Sequence, residues 1–279
     1  MVEFRMMQPA DTDALCGLFH LAFGDTPEFA RLVFEQYAGP ENVFVAVQDG
    51  RPVSMASAVP VEYKGRKGAF VYGVATDPAC RRQGIAAALL DWMTEQLRQR
   101  GVQFLTLIPQ NGNAGLFDWY GRQGYRKAFA LRRIQRPIRR NLWAQAEFDT
   151  VTPKALCALR AQFCPDSVCL APDRMQLVLT EMYKNGATIV ASAEGCGVYF
   201  RHGETLYFPE LLAVSDRAAD LLLQAAREKE SIAEQAEITI GAEHPLFPGE
   251  GVRQDYGMIR FLTEPFDVEQ TYLRLLMDE

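Results

Sequence analysis

Apolar residues in the first half of the chain follow helix-like and strand-like periods in alternation. In residues 11–23 they recur every three or four positions, which predicts an amphipathic helix, and residues 27–37 predict a second, short helix. Residues 42–78 predict three strands joined by turns at residues 49–50 and 65–68, where glycines cluster.

Gly84 precedes a long amphipathic helix that extends to about Arg100. Its apolar face consists of four residues at helical spacing: Ile85, Leu89, Met93 and Leu97. Beyond it, residues 102–108 predict a strand, residues 113–124 a short helix ending in glycine, and residues 125–138 the closing strands. This order predicts an α/β unit with a mixed sheet.

The second half repeats this order. Its predicted helices and strands occupy, in turn, helices 152–163 and 171–183, three strands within 187–214, helix 215–230, and strands 236–241 and 256–262. Strand, helix and strand recur in corresponding positions, so an internal duplication of the fold is indicated. We therefore expect two domains, residues 1–138 and residues 139–279.

Composition supports an ordinary globular protein. The 279 residues are 48% hydrophobic and 23% charged, and this length suits two domains. Residues 1–25 lack the apolar core of a signal peptide, and no stretch approaches the roughly 18 apolar residues of a membrane span. The six cysteines form no CxxC pair, and only three histidines accompany them. We expect free thiols, no metal site, no membrane partner and a cytoplasmic location.

Charge differs between the two halves. Residues 1–140 carry 18 Lys and Arg against 13 Asp and Glu, whereas residues 141–279 carry 11 against 22. A nucleic-acid-binding protein needs a dominant basic face, which this balance does not provide. The basic run at residues 131–140 lacks interleaved aromatic residues, so we interpret it as an exposed strand leading into a linker and expect no nucleic-acid partner.

Residues 75–90, ATDPACRRQGIAAALL, join a strand-like run to the long helix. The first turn of a helix has unpaired N–H groups and a partial positive charge, which together favour a phosphate. Gly84 leaves the backbone open to approach, and Arg81 and Arg82 add full charges. The alternative is a helix that begins with glycine for tight packing, with two arginines on the surface. Neither a P-loop nor a dinucleotide-binding pattern is present.

The same residues resemble a known family. Arg81, Gly84 and Ala86, preceded by a strand, resemble the Q/R-x-x-G-x-G/A signature of the GNAT superfamily of acyl-CoA-dependent N-acyltransferases. A second block, NAGLFDWYGRQGY, is similar to the N-x-x-A-x-x-x-Y-x-x-x-G-F segment of that family, with Leu116 in place of the small residue. The matching residues of this block are Asn113, Tyr120, Gly124 and Tyr125. The weaker repeat in residues 139–279 resembles tandem GNAT proteins of the enhanced-intracellular-survival type, whose second GNAT-like domain has lost CoA binding.

The resemblance implies a site for the co-substrate acetyl-CoA in the first domain alone. The implied CoA-binding residues are Val74, Ala75, Thr76, Arg81, Arg82, Gln83, Gly84, Ile85, Ala86 and Asn113. The strands ending at Thr76 and Leu107 would diverge, the pantetheine arm would lie between them, and Tyr120 would protonate the departing thiolate. The base stays open among Asp25, Glu28 and Glu62, with the C-terminal Glu279 as a further candidate because the C-terminus can reach the active site in the tandem family.

The leading hypothesis is an acetyl-CoA-dependent N-acetyltransferase that acts by direct attack of a primary amine. Its acceptor would be a small molecule or a lysine side chain, and the acidic second half favours a cationic one. The alternative is a non-catalytic acyl-CoA-binding sensor or scaffold, which the presence of Tyr120 disfavours.

Overall fold

The computed structural model describes residues 1–109 and 114–277. The chain divides into two compact units. Unit 1 consists of Met1–Lys127 and Met258–Phe266, and unit 2 consists of Ala128–Gly257 and Asp267–Glu279.

Both halves of the chain contain strands and helices in a similar order. In residues 1–127 they are β1 (Val2–Met6), α1 (Thr12–Phe23), α2 (Pro27–Leu32), β2 (Val43–Gln48), β3 (Arg51–Tyr63), β4 (Arg66–Thr76), α3 (Ile85–Gln99), β5 (Phe104–Leu107) and α4 (Ala114–Arg122). The remaining elements are β6 (Arg126–Pro137), β7 (Glu147–Phe148), α5 (Pro153–Phe163), β8 (Ser167–Val168), α6 (Pro172–Lys184), β9 (Thr188–Ser192), β10 (Gly195–His202), β11 (Thr205–Ala213), α7 (Asp216–Lys229), β12 (Gln235–Gly241), β13 (Val252–Phe261) and β14 (Tyr272–Leu273). The predicted helix 27–37 is α2 followed by a π-helical turn, Val33–Ala38.

Unit 1 is a mixed sheet with helices on its faces. Strands β1 to β4 pair in antiparallel order, β4 pairs with β5 in parallel, and β5 pairs with the end of β13 in antiparallel order. The predicted apolar face of α3 is buried against this sheet in one core with residues of β2, β3, β4 and β5. This burial sets the position of the N-terminus of α3 relative to the end of β4.

Unit 2 repeats the arrangement. Strand β6 pairs with β12 in antiparallel order, β12 with β11 in parallel, and β11, β10 and β9 follow in antiparallel order. One face of α7 is buried in a core with residues of β6, β10, β11 and β12. In both units a helix therefore connects the two strands of the parallel pair, α3 between β4 and β5 and α7 between β11 and β12, as the internal duplication predicts.

The division of the chain differs from the predicted domains, residues 1–138 and 139–279. Residues 128–137 of β6 belong to unit 2, where Leu131–Pro137 pair with β12, and Met258–Phe266 belongs to unit 1, where Met258 lies opposite Leu107. The local apolar pattern marks both segments as strands, but a strand's partner depends on long-range pairing, which such a pattern does not encode.

A buried polar cluster lies inside unit 2. Arg160 and Glu210 form an ion pair of 3.1 Å, and both side chains are almost fully buried. Arg274 donates hydrogen bonds to the hydroxyls of Tyr256 and Tyr207, at 2.8 and 3.0 Å. Arg160 also donates to the Arg274 carbonyl, so the C-terminal segment is tied to α5 and β11.

None of the helices in the described ranges combines the length and apolar character that a membrane crossing requires.

Candidate active site

Strand β4 is irregular just before its end. Its register with β3 shifts between Met55 and Ser57, where a bulge accommodates Gly73 at a φ of +63°. A Cβ atom at Gly73 would lie 2.7 Å from the ring of Phe19. Glycine is therefore required at position 73 for two reasons, namely the positive φ of the backbone and the close approach of the Phe19 ring.

Strand β4 pairs with the short strand β5 only near its own beginning. Their parallel register covers Gly68–Phe104, Ala69–Leu105 and Phe70–Thr106. Within residues 1–109, β4 continues to Thr76 without a further partner on the side of β5. The backbone of Val74, Ala75 and Thr76 therefore borders the expected divergence of the two strands.

Polar contacts hold the end of β4 in place. The buried Ser54 hydroxyl donates to the Ala75 carbonyl at 3.0 Å and lies 2.8 Å from the Thr76 hydroxyl. Arg81 Nε donates to the Thr76 carbonyl, also at 3.0 Å. Two predicted site residues, Thr76 and Arg81, are thus in direct contact. Ser54 was missed, because a lone serine in an apolar strand carries no motif.

The loop between β4 and α3 is tightly folded. The Asp77 carboxylate accepts a hydrogen bond from the Ala79 amide at 2.9 Å, and the Gln83 side chain donates back to the Ala79 carbonyl at 3.2 Å. Arg82 has a φ of +61°, unusual for a residue with a side chain. Gln83 is a predicted CoA-binding residue, but its side chain is used within the loop. Its backbone is therefore the group that can face a ligand.

The N-terminus of α3 is open to a ligand. Gly84 precedes the helix at a φ of +78° and supplies no side-chain cap. The Ala88 amide is the first to bond back, to the Gly84 carbonyl, so the amides of residues 85–87 have no helical acceptor. A Cβ atom at Gly84 would meet nothing within 4 Å. Ile85 is buried and anchors this turn, whereas Ala86 is partly exposed. The geometry suits an anion approaching the backbone.

The corresponding helix of unit 2 begins differently. Ser215 precedes α7, and its hydroxyl accepts a hydrogen bond from the Ala218 amide at 3.2 Å. Asp216 adds a carboxylate to the first turn and accepts a hydrogen bond from the Phe247 amide. A helix start that is capped by its own side chain and carries an acid is a poor phosphate site.

Tyr120 lies in the core that also contains Ile85 and Leu107. Its ring contacts those of Trp119 and Tyr125, with centroids 4.8 and 5.7 Å apart. Burial raises the pKa of Tyr120 to about 12, so the phenol stays protonated at neutral pH. Its hydroxyl is a hydrogen-bond donor, and its ring belongs to the core that positions α3 and the loop between β4 and α3.

The carboxylates proposed from the sequence as the general base differ in their exposure to solvent. Glu28 and Glu62 are exposed, whereas Asp25 is partly buried, and this burial raises the pKa of its carboxyl group. Asn113 and Glu279 lie outside the described residues, so their predicted roles stay predictions.

Across residues 1–109 and 114–277, no group of three or more His, Cys, Asp or Glu side chains is arranged to hold a metal ion. A cavity of about 150 Å³ lies in unit 2, lined by residues that include Cys164, His244 and Tyr272. None of the predicted site residues contributes to it.

Comparison with known proteins adds a family and a fold. A family model described as an acetyltransferase (GNAT) domain matches residues 3–128. No protein of curated function matches the chain with significant sequence similarity.

Several solved structures resemble the chain over most of its length. A GCN5-related N-acetyltransferase from Kribbella flavida has a TM-score of 0.75 and 17% identity, covering 94% of this chain and 71% of its own. Eis1 from Mycobacterium abscessus has a TM-score of 0.68 and 17% identity, covering 93% and 73%. A tandem GNAT protein from the clavulanic acid biosynthesis pathway has a TM-score of 0.58 and 14% identity, covering 96% and 100%. At these identities the likeness shows the fold alone, and it confirms the predicted mixed α/β fold with a repeated unit.

Proposed function

Since residues 3–128 form an acetyltransferase domain of the GNAT family, we propose that the chain transfers an acetyl group from acetyl-CoA to a primary amine. One observation carries the proposal. The uncapped N-terminus of α3, with Gly84 at its start, follows the short loop that leaves β4, and the end of β4 extends beyond its pairing with β5. Such a junction can hold the pyrophosphate of CoA and admit its pantetheine arm in one continuous groove.

The chain's own groups would share this binding. Backbone amides of residues 84–87 would face the pyrophosphate, and Arg81 and Arg82 would add charge-assisted hydrogen bonds. The backbone groups of Val74, Ala75 and Thr76 would form hydrogen bonds with the amides of pantetheine, which would lie beside β4 like an additional strand.

The reaction needs a free amine and a stabilised leaving group. The amine nitrogen attacks the thioester carbon, a C–N bond forms, the C–S bond breaks, and the amine loses a proton while the CoA sulfur gains one. Amines of this kind have a pKa of about 10, so a base or water must first remove a proton. Tyr120 is the proposed donor to the sulfur. An ordinary thiol has a pKa of about 8.5, well below that of Tyr120, so a hydrogen bond to the developing thiolate is the larger part of its effect.

Unit 2 is proposed to bind no CoA. The Ser215 cap and the Asp216 carboxylate at the start of α7 support this. We expect one CoA per chain, bound in unit 1, and the acidic excess of residues 141–279 favours a cationic acceptor.

A thiol-release assay with acetyl-CoA and a panel of primary amines tests the proposal. The enzyme should release CoA only when an amine is present, and mass spectrometry should find the acetylated amine. The alternative, a non-catalytic acyl-CoA sensor, would bind acetyl-CoA yet release no thiol with any amine.

A further inference from the structure

An aromatic surface lies where α1 meets β4 in unit 1. We call it the aromatic patch and define it as Phe19, Phe23, Phe29 and Tyr72. The Phe19 ring is buried, and the centroids of Phe23, Tyr72 and Phe29 lie 4.8, 6.2 and 6.3 Å from it. Phe23 is 38% exposed, and the other two rings are partly exposed. A buried ring thus supports three that reach solvent, an arrangement typical of a ligand surface.

The aromatic patch borders the strand segment proposed to hold pantetheine. The Phe19 ring rests against the backbone of Gly73, where a Cβ atom would lie 2.7 Å from it. Val74, the next residue, begins the segment that ends at Thr76. A molecule lying on the aromatic patch is therefore close to the end of β4, where the acetyl group would be delivered.

A carboxylate follows the patch in the sequence. Helix α1 ends at Phe23, Gly24 turns the chain at a φ of +82°, and Asp25 comes next. His20 Nδ1 donates to the Asp25 carbonyl at 2.9 Å, which holds this turn against the helix. Partial burial weakens the hydration of the Asp25 carboxylate, and the carbonyl end of α1 adds negative potential. Both effects favour a cation at this position.

The other charges of α1 and α2 leave His20 as the one group that opposes a cation at Asp25. Arg31 pairs with Asp13 at 2.9 Å, so that cation is already neutralised. Glu28 on α2 adds a second negative charge, and His20 is the remaining basic group of α1.

We propose that the acceptor is a primary amine carried on an apolar body. The body would pack on Phe23, Phe29 and Tyr72, and Asp25 would receive the ammonium group before it loses its proton. The inference rests on the proposed acetyl transfer. It predicts that a compact or highly charged amine is a poorer substrate, because neither covers the aromatic patch.

Matched amines test the inference in the full chain. Thiol release is measured with 2-phenylethylamine, with ethanolamine, which lacks the ring, and with spermidine, which carries several charges. Burying a phenyl ring should raise kcat/KM by about tenfold or more over ethanolamine. Equal or faster turnover of ethanolamine or spermidine would overturn the inference while leaving acetyl transfer intact. Absence of thiol release with every amine would overturn the proposed function, and this inference with it.

Two substitutions locate the effect. Phe23→Ala should lower kcat/KM for 2-phenylethylamine several-fold, whereas Leu21→Ala, an exposed residue of the same helix, should not. Asp25→Asn should raise KM for 2-phenylethylamine, and the exposed Glu35→Gln serves as its charge-matched control. CoA affinity, measured separately by calorimetry, should stay the same in all four variants. The inference is wrong if Phe23→Ala and Leu21→Ala behave alike, or if Asp25→Asn leaves KM unchanged.

Discussion

Arg81 donates a hydrogen bond from its Nε atom to the carbonyl oxygen of Thr76 at 3.0 Å. The side chain expected to contact the pyrophosphate therefore also fastens the end of β4 to the loop between β4 and α3. A guanidinium can do both, because Nε uses one of its five N–H donors and the two terminal nitrogens carry the other four.

Arg81→Lys should consequently weaken CoA binding several-fold although it keeps the charge. The lysine cannot hold Thr76 and a phosphate at once, and stability should barely change because the residue is exposed. Isothermal titration calorimetry measures the affinity. Arg82→Lys is the matched control and should have a smaller effect. Equal losses in the two variants would show that charge alone matters and that the contact with Thr76 contributes nothing.

Tyr120→Phe should lower kcat by about 10²- to 10⁴-fold, with near-normal CoA affinity and thermal stability. The change removes the donor and keeps the packed ring. Because burial raises the pKa of Tyr120 to about 12, its ionisation should cause no fall in kcat as the pH rises to about 10.

Tyr125→Phe is the control for this experiment. Its hydroxyl is buried without a hydrogen bond to any described residue, so its removal should leave both stability and turnover close to normal. Near-normal turnover in Tyr120→Phe, or equal losses in the two variants, would contradict the proposed role of Tyr120.

Unit 2 should depend on its buried ion pair for stability. Glu210→Gln keeps the shape of the side chain but removes the counter-charge of Arg160, which is buried with it. Removing one partner of such a pair costs about 3–5 kcal/mol, seen as a lower midpoint in urea or thermal unfolding. Glu194→Gln, in the exposed turn between β9 and β10, makes the same charge change and should cost almost nothing. A small effect at Glu210 would mean that water or rearrangement compensates the charge of Arg160.

Much of this organisation could be predicted from the sequence because its signals are local. The apolar stripe that begins at Ile85 predicted the buried face of α3, and two short motifs predicted the GNAT resemblance, which is confirmed. The strand Val2–Met6 was missed, because five residues give too little pattern to separate a strand from a loop.

Other features depend on contacts that are distant in sequence. The second half of β13 completes the sheet of unit 1, and Ser54 holds the end of β4 across the strand pair. The bulge at Gly73 follows from the register shift and from the Phe19 ring above it. None of these is visible in a window of neighbouring residues, since each depends on which strand or ring lies opposite.

Calorimetric titration of CoA into Gly84→Trp tests the central claim most directly. Gly101→Trp is its control, since Gly101 ends the same helix with a similar φ of +79° and equally open space for a Cβ atom. Each variant should lose about 1–2 kcal/mol of stability for its left-handed backbone. The wild type and Gly101→Trp should bind one CoA per chain, and Gly84→Trp should bind none. Two CoA per chain, or unchanged binding by a folded Gly84→Trp, would contradict a single CoA site at the N-terminus of α3.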